Sequence, residues 1–175
     1  MSITDPQSSA LRGRGDTAAM ERDSVPENVD EIIAHILERY HQVHRRELPE
    51  LRALARHVEE AHAGHAAVPA GLSALLERMQ EALESHMQKE EQILFPLMRA
   101  GGHPMIVHPI GMMRHEHDEH GEHLRALAVL TSDMTAPDDA CKSWRALYAG
   151  LAKLVADLTD HISIENDILF PRFEN

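Results

Sequence analysis

At 175 residues the chain has the length of one domain with its own core, and 43% hydrophobic content with only 3% aromatics implies an interior of Leu, Ala, Met, Ile and Val. A net charge of −12 without a basic patch argues against nucleic acid or an anionic membrane as partner. A single cysteine, Cys141, excludes an intrachain disulfide and any Cys-built zinc or iron–sulfur site within one chain.

No apolar run approaches the ~20 residues that span a bilayer. The first residues lack the apolar stretch of a secretory signal, so the expected compartment is the cytoplasm. The count that stands out is 14 histidines, scattered along the chain rather than set in a row.

Residues 1–27 are polar and aperiodic, and are expected to form a disordered or weakly helical tail. From Asn28 the spacing of Ile33, Leu37, Tyr40, His44, Leu48, Leu51, Ala55 and Val58 predicts a first helix to about residue 63, with Pro49 bending it or breaking its ladder. After the turn "AGHAAVPAG", Leu72, Leu75, Met79, Leu83, His86, Glu90, Ile93 and Leu97 predict a second helix ending near residue 100. A third, from about 105 to 131, carries Ile110, Met113, His117, Leu124 and Leu127. The turn "TSDMTAPDD" offers Asp138 or Asp139 as cap for a fourth helix that runs to the end. Four amphipathic helices with short links predict an all-α, up-down-up-down four-helix bundle over 28–175.

Two stretches share one pattern: "HMQKEEQILFP" and "HISIENDILFP" both read His-x-x-x-Glu-x-x-Ile-Leu-Phe-Pro. In the fourth helix, positions 147, 151, 154, 158, 161, 165 and 168 step by four and three, and all are Leu or Ile except His161 and Glu165. The second helix places His86 and Glu90 likewise. Residues four apart share a helix face, so each pair occupies core positions. A carboxylate drawn into an apolar bundle costs several kcal/mol unless it is paired or ligated. One such pair could be a structural hydrogen bond, but two, each with a histidine, point to a metal site of imidazole nitrogens and bridging carboxylates that suits iron, manganese or zinc.

Levels along the bundle follow from the ~1.5 Å rise per residue. Measured from the intervening turn, His86 and His117 meet at one height, whereas His117 and His161 mismatch by ~12 Å. The first helix offers His41, His44 and His62. Spacing slightly favours His44, and His62 lies ~30 Å from His41 along the axis. His35, His57, His115 and His123 fall mostly off the core stripes, His65, His103 and His108 lie in or near turns, and His120 is placed to support the site from beside it. Glu38-x-x-His41 and Glu59-x-x-His62 both sit on the first helix, which disfavours a ferritin-like site that needs the element on two helices. A His-Glu-x-x-His zinc motif is absent.

The segments "RYHQVHRRELPEL", "SHMQKEEQILFP", "EHDEHGE" and "DHISIENDILFPR" resemble, in that order, those of the haemerythrin-like family, and among them the repair-of-iron-centres proteins. The resemblance covers about residues 28 to 173. It implies a bundle holding two irons with an oxo or hydroxo bridge, and support for recovery of damaged iron–sulfur proteins after nitric oxide or oxidative stress. It assigns His41, His86, His117 and His161 as terminal ligands, Glu90 and Glu165 as bridges, and His41 in preference to His44. His62 is kept as an optional fifth histidine within a matching "VEEAHA". Such proteins carry an N-terminal module with a cysteine pair that has no counterpart in this sequence. That departure gives weight to the alternative of binding or sensing dioxygen, nitric oxide or iron. A conventional enzyme is not expected; low oxidase or peroxidase-like activity is the remaining option.

Overall fold

The computed structural model describes residues 28–174. The expected tail, residues 1–27, lies outside the described residues. Helix α1 comprises Val29–Ile36, a π turn at Leu37–His41, and Gln42–Ala61. Its start is fixed by Asn28, whose side chain accepts from the Asp30 N–H at 2.8 Å, with Asp30 and Glu31 set against the positive end of the helix dipole. The helix continues through Pro49 instead of breaking there. Proline's missing N–H leaves one rung of the ladder unmade, and burial of Leu48, Leu51, Ala55 and Val58 holds the segment in register.

Helix α2 comprises Leu72–Lys89, a π turn at Glu90–Leu94, and Phe95–Arg99. It is entered through Gly71 and left through Gly101 and Gly102, all at positive φ, where a side chain would be strained. Helix α3 spans Val107–Thr131 and ends in three consecutive left-handed residues, Ser132, Asp133 and Met134. Thr131 pins this turn: its hydroxyl donates to the Leu127 carbonyl and accepts from the Met134 N–H. Helix α4 comprises Lys142–Ser163, a π turn at Ile164–Leu169, and a 3₁₀ turn at Phe170–Phe173. The expected aspartate cap is corrected: Cys141 caps α4, its Sγ accepting from the Trp144 N–H at 3.4 Å. Asp139 is instead drawn to His65, at 3.1 Å.

The four helices form the up-down-up-down bundle, α1 packing on α2 and α4, and α2 on α3. Among the described residues, no helix is long and apolar enough to cross a membrane. The apolar core is split in two. One cluster, around Leu48, Leu76, Leu83, Trp144 and Leu151, fills the end where α1 stops. The other, around Ile33, Ile36, Phe95, Ile110 and Phe170, fills the opposite end. Between them lies a buried polar layer that contains His86, Glu90, His161 and Glu165 of the two repeated motifs.

Helices α1 and α4 pack tightly at Gly150, where an added Cβ would lie 2.6 Å from Cδ2 of Leu51. Alanine could be accommodated by a shift of that leucine, but a branched side chain could not. Overpacking of this kind costs ~1–3 kcal/mol, or roughly 2–12 °C in a chain of this size. Gly150→Val is therefore expected to lower Tm by that amount in a thermal melt followed by circular dichroism, and an unchanged Tm would contradict the close approach.

Candidate metal centre

Glu90 and Glu165 have no solvent exposure at all and face each other across the bundle from α2 and α4. Around them the structure gathers two groups of four buried residues whose ligand-type atoms lie within 4.8 Å of one another: His41, Glu90, His161 and Glu165, and His86, Glu90, His117 and Glu165. The two carboxylates belong to both groups and each histidine to one. Glu165 shows how sharing works: Oε1 lies 3.0 Å from Nε2 of His161, and Oε2 lies 3.0 Å from Nε2 of His117. Oε2 of Glu90 lies 3.3 Å from Nε2 of His41 and 3.5 Å from Nε2 of His86.

Each helix supplies one histidine, and three π turns set the aim. Gln42 N–H bonds the Leu37 carbonyl, Phe95 N–H the Glu90 carbonyl, and Phe170 N–H the Glu165 carbonyl, each five residues back. A π turn widens the helix by one residue and occurs most often at functional sites. In α1 the extra residue rotates His41 into the centre. This resolves the spacing argument that leaned to His44: the helix is not uniformly 3.6-fold there, so the ideal stripe is one residue out. The expected mismatch between His117 and His161 also disappears. Helix α4 starts only at Lys142, so His161 lies closer to its start than counting from the middle of the turn implies, and His117 and His161 both reach Glu165, each at 3.0 Å.

Three of the four imidazoles are held from behind by the residue next to a member of these groups on the following helix. Nδ1 of His41 donates to Oε1 of Glu91 at 2.7 Å, Nδ1 of His86 to Oε2 of Glu116 at 2.9 Å, and Nδ1 of His117 to Oδ1 of Asn166 at 3.0 Å. Arg114 also donates to Oδ1 of Asn166, which fixes that amide's orientation. A proton held on Nδ1 leaves the Nε2 lone pair pointing into the cluster, the arrangement typical of metal-ligating histidines. Sequence reasoning missed Glu91, Glu116 and Asn166. Their only signal was adjacency to Glu90, His117 and Glu165.

The electrostatics match a cation-binding centre. Burial, reinforced by the neighbouring Glu165, pushes Glu90 well above the usual carboxylate range. Burial acts the same way on Glu165, but His161 and His117 outweigh it and hold that carboxyl well below the range. Both oxygens of Glu90, Oε2 of Glu165 and Nε2 of His41 are buried without a hydrogen-bond partner among the described residues. Lone pairs that converge without a proton between them are satisfied by a metal ion, so the donor set fits one.

The remaining candidates separate cleanly. His44 is buried one turn from His41, with its ring 5.7 Å from that of His161, but it belongs to neither group of four. His62 is not brought to the centre; at the far end of α1, its Nε2 lies 3.2 Å from Sγ of Cys141 and its ring packs on Trp144. The ~30 Å of helix between His41 and His62 accounts for this. His120 is buried with its ring 5.0 Å from that of His86, beside the site as expected. Asp157, also unforeseen, is buried one turn before His161 and neutralised by Arg39 and Lys153, each at 2.7 Å.

A fold of four helices around a shared His/Glu layer defines a class, and the sequence comparison agrees: residues 32–173 match the hemerythrin HHE cation binding domain, and the chain belongs to that family. Within it, the chain is 46% identical over 160 residues to the iron-sulfur cluster repair protein YtfE of Edwardsiella ictaluri, covering 87% of this chain and 72% of that protein. It is 47% identical over 153 residues to the protein of the same name from Escherichia coli O139:H28, covering 87% and 70%. The Shigella boydii protein of that name matches equally.

Burial also writes a pH dependence into the metal-free protein. It lowers His41 and His86 to about 4, and His44 and His120 to about 3, from the usual 6.5. Below about pH 6.5 the unfolded chain therefore binds more protons than the fold. The stability from these neutral imidazoles is complete above that pH and is lost as pH falls through 6.5 toward 4. Glu90, held well above its usual range, opposes this by keeping its proton in the fold, so the test uses metal-free Glu90→Gln protein. Its urea midpoint should be lower at pH 5 than at pH 7, and equal midpoints would contradict the burial of neutral imidazoles.

Proposed function

We propose that this protein holds two iron ions sharing an oxo or hydroxo bridge and uses them in the cytoplasm to support repair of damaged iron–sulfur proteins under nitrosative or oxidative stress. The observation that carries this reading is the double membership of Glu90 and Glu165 in two four-residue clusters. His41 and His161 would serve one ion, His86 and His117 the other, and the two glutamates both. Bound iron would supply redox chemistry and an affinity for nitric oxide and dioxygen. The protein's own residues hold His41 and His86 neutral, orient three of the imidazoles through Glu91, Glu116 and Asn166, and keep bulk water out with apolar clusters on both sides. The names of the relatives support a repair role over a general iron store.

A second reading, reversible binding or sensing of nitric oxide, dioxygen or iron, is favoured by the donor count. Four protein donors per ion leave positions free on a metal that commonly takes six.

Incubation of iron-loaded protein with a damaged cluster protein separates the two. Reactivation with stoichiometric loss of iron from this protein is expected for repair. Tight reversible gas binding without iron loss would overturn repair in favour of sensing. Glu165→Leu should reduce bound iron from about two per chain to one or fewer and bleach oxo-bridge charge-transfer absorption; unchanged metal content and spectrum would remove the bridging role. His41→Ala should cost far more iron than His44→Ala, measured by metal analysis of the purified variants.

A further inference from the structure

The orienting contacts behind the histidines are not symmetric. His86 and His117, which share one ion position, are both held: His86 by Glu116, itself anchored by Lys89, and His117 by Asn166, anchored by Arg114. The other position has one held histidine, His41, and one that is not. Nδ1 of His161 is buried and has no hydrogen-bond partner among the described residues. Rings surround it instead: Tyr40 stacks on it at 5.2 Å and 5°, with His41 at 5.0 Å and His44 at 5.7 Å. Stacking restrains the plane of an imidazole but does not decide which nitrogen carries the proton. Loss of such an orienting hydrogen bond typically weakens metal affinity by about 10–100-fold.

A cavity of about 480 Å³ lies against this less anchored side, between α1 and α2. Leu48 and Met87 form apolar walls, Arg45 and Glu84 stand at its partly exposed rim, and His44 and Gln80 also line it. Nε2 of His44 and Oε1 of Gln80 are both buried without a partner among the described residues. An imidazole nitrogen and an amide oxygen are donors a ferrous ion accepts in passing. None of the residues of the two groups of four lines the cavity itself; His44, whose ring lies 5.7 Å from that of His161, is the link between the cavity and the His41/His161 position.

We infer that the two metal positions are unequal, and that the ion between His41 and His161 is the one that leaves, passing His44 and Gln80 through the cavity between α1 and α2. The ion between His86 and His117 is retained. This rests on the two-ion reading above and deepens it: the transferable cargo is one ferrous ion per chain, with the second ion keeping Glu90 and Glu165 in place.

The test is anaerobic release of ferrous iron from the fully loaded protein to an excess of a coloured ferrous chelator, followed by stopped flow. Two phases of equal amplitude are expected, separated by about tenfold or more in rate. His44→Leu and Gln80→Leu, both volume-tolerant changes, should slow only the fast phase. Asn166→Ala, which frees His117, should speed only the slow phase until the two merge. Release in a single phase from protein carrying two irons would overturn the inequivalence while leaving the two-ion reading intact. Fewer than two irons in the loaded protein would overturn both. A fast phase that responds to Asn166→Ala and ignores both leucine variants would show that the wrong ion had been chosen.

Discussion

Two carboxylates with no exposure to water, set in a core built of leucine, isoleucine and methionine, are the constraint on which the rest of this structure depends. Charge in such a place is strongly disfavoured unless compensated. No lysine or arginine reaches Glu90 or Glu165 through any ion pair among the described residues; the partners that do are imidazoles. All four are buried, and burial holds His41 and His86 neutral, so these two bring lone pairs rather than positive charge. A centre made of donors alone is complete when cations occupy it. The bundle therefore carries an unfavourable polar layer that metal converts into a favourable one, and folding and metal binding are linked.

Much of the remaining architecture serves that layer. Apolar clusters above and below give the helices a reason to associate without help from the centre. Three π turns place His41, Glu90 and Glu165 at angles a regular helix would not reach. In both repeated motifs the π turn is followed by Phe-Pro, where proline removes a ladder donor, so the wider turn falls where the α-helical ladder is already weakest. The phrase "ILFP" thus combines packing with a change of helical pitch next to a buried glutamate of the shared layer.

How much of this could be read from the chain depends on the element. In α4, leucines and isoleucines mark the buried face so regularly that His161 and Glu165 stand out within it, and His86 with Glu90 repeat the signal. His86 and His117 were level by residue counting because their helices meet through a compact turn. His41 escaped the spacing argument because periodicity assumes one pitch, and a π turn is invisible to it. His161 reads as too far from His117 because heights were counted from the middle of the turn, whereas α4 starts only at Lys142. Glu91, Glu116 and Asn166 could not be distinguished from surface residues, since their importance lies in contacts across helices. Family resemblance supplied the choice of His41, which spacing alone did not.

The central claim is that Glu90 and Glu165 join two ions between four histidines. Anomalous diffraction at the iron edge from crystals of the iron-loaded protein tests it most directly. The account predicts two peaks about 3.5–4 Å apart, one beside His41 and His161 and one beside His86 and His117, with Glu90 and Glu165 reaching both. A single peak, or two peaks with either glutamate touching only one, would contradict it.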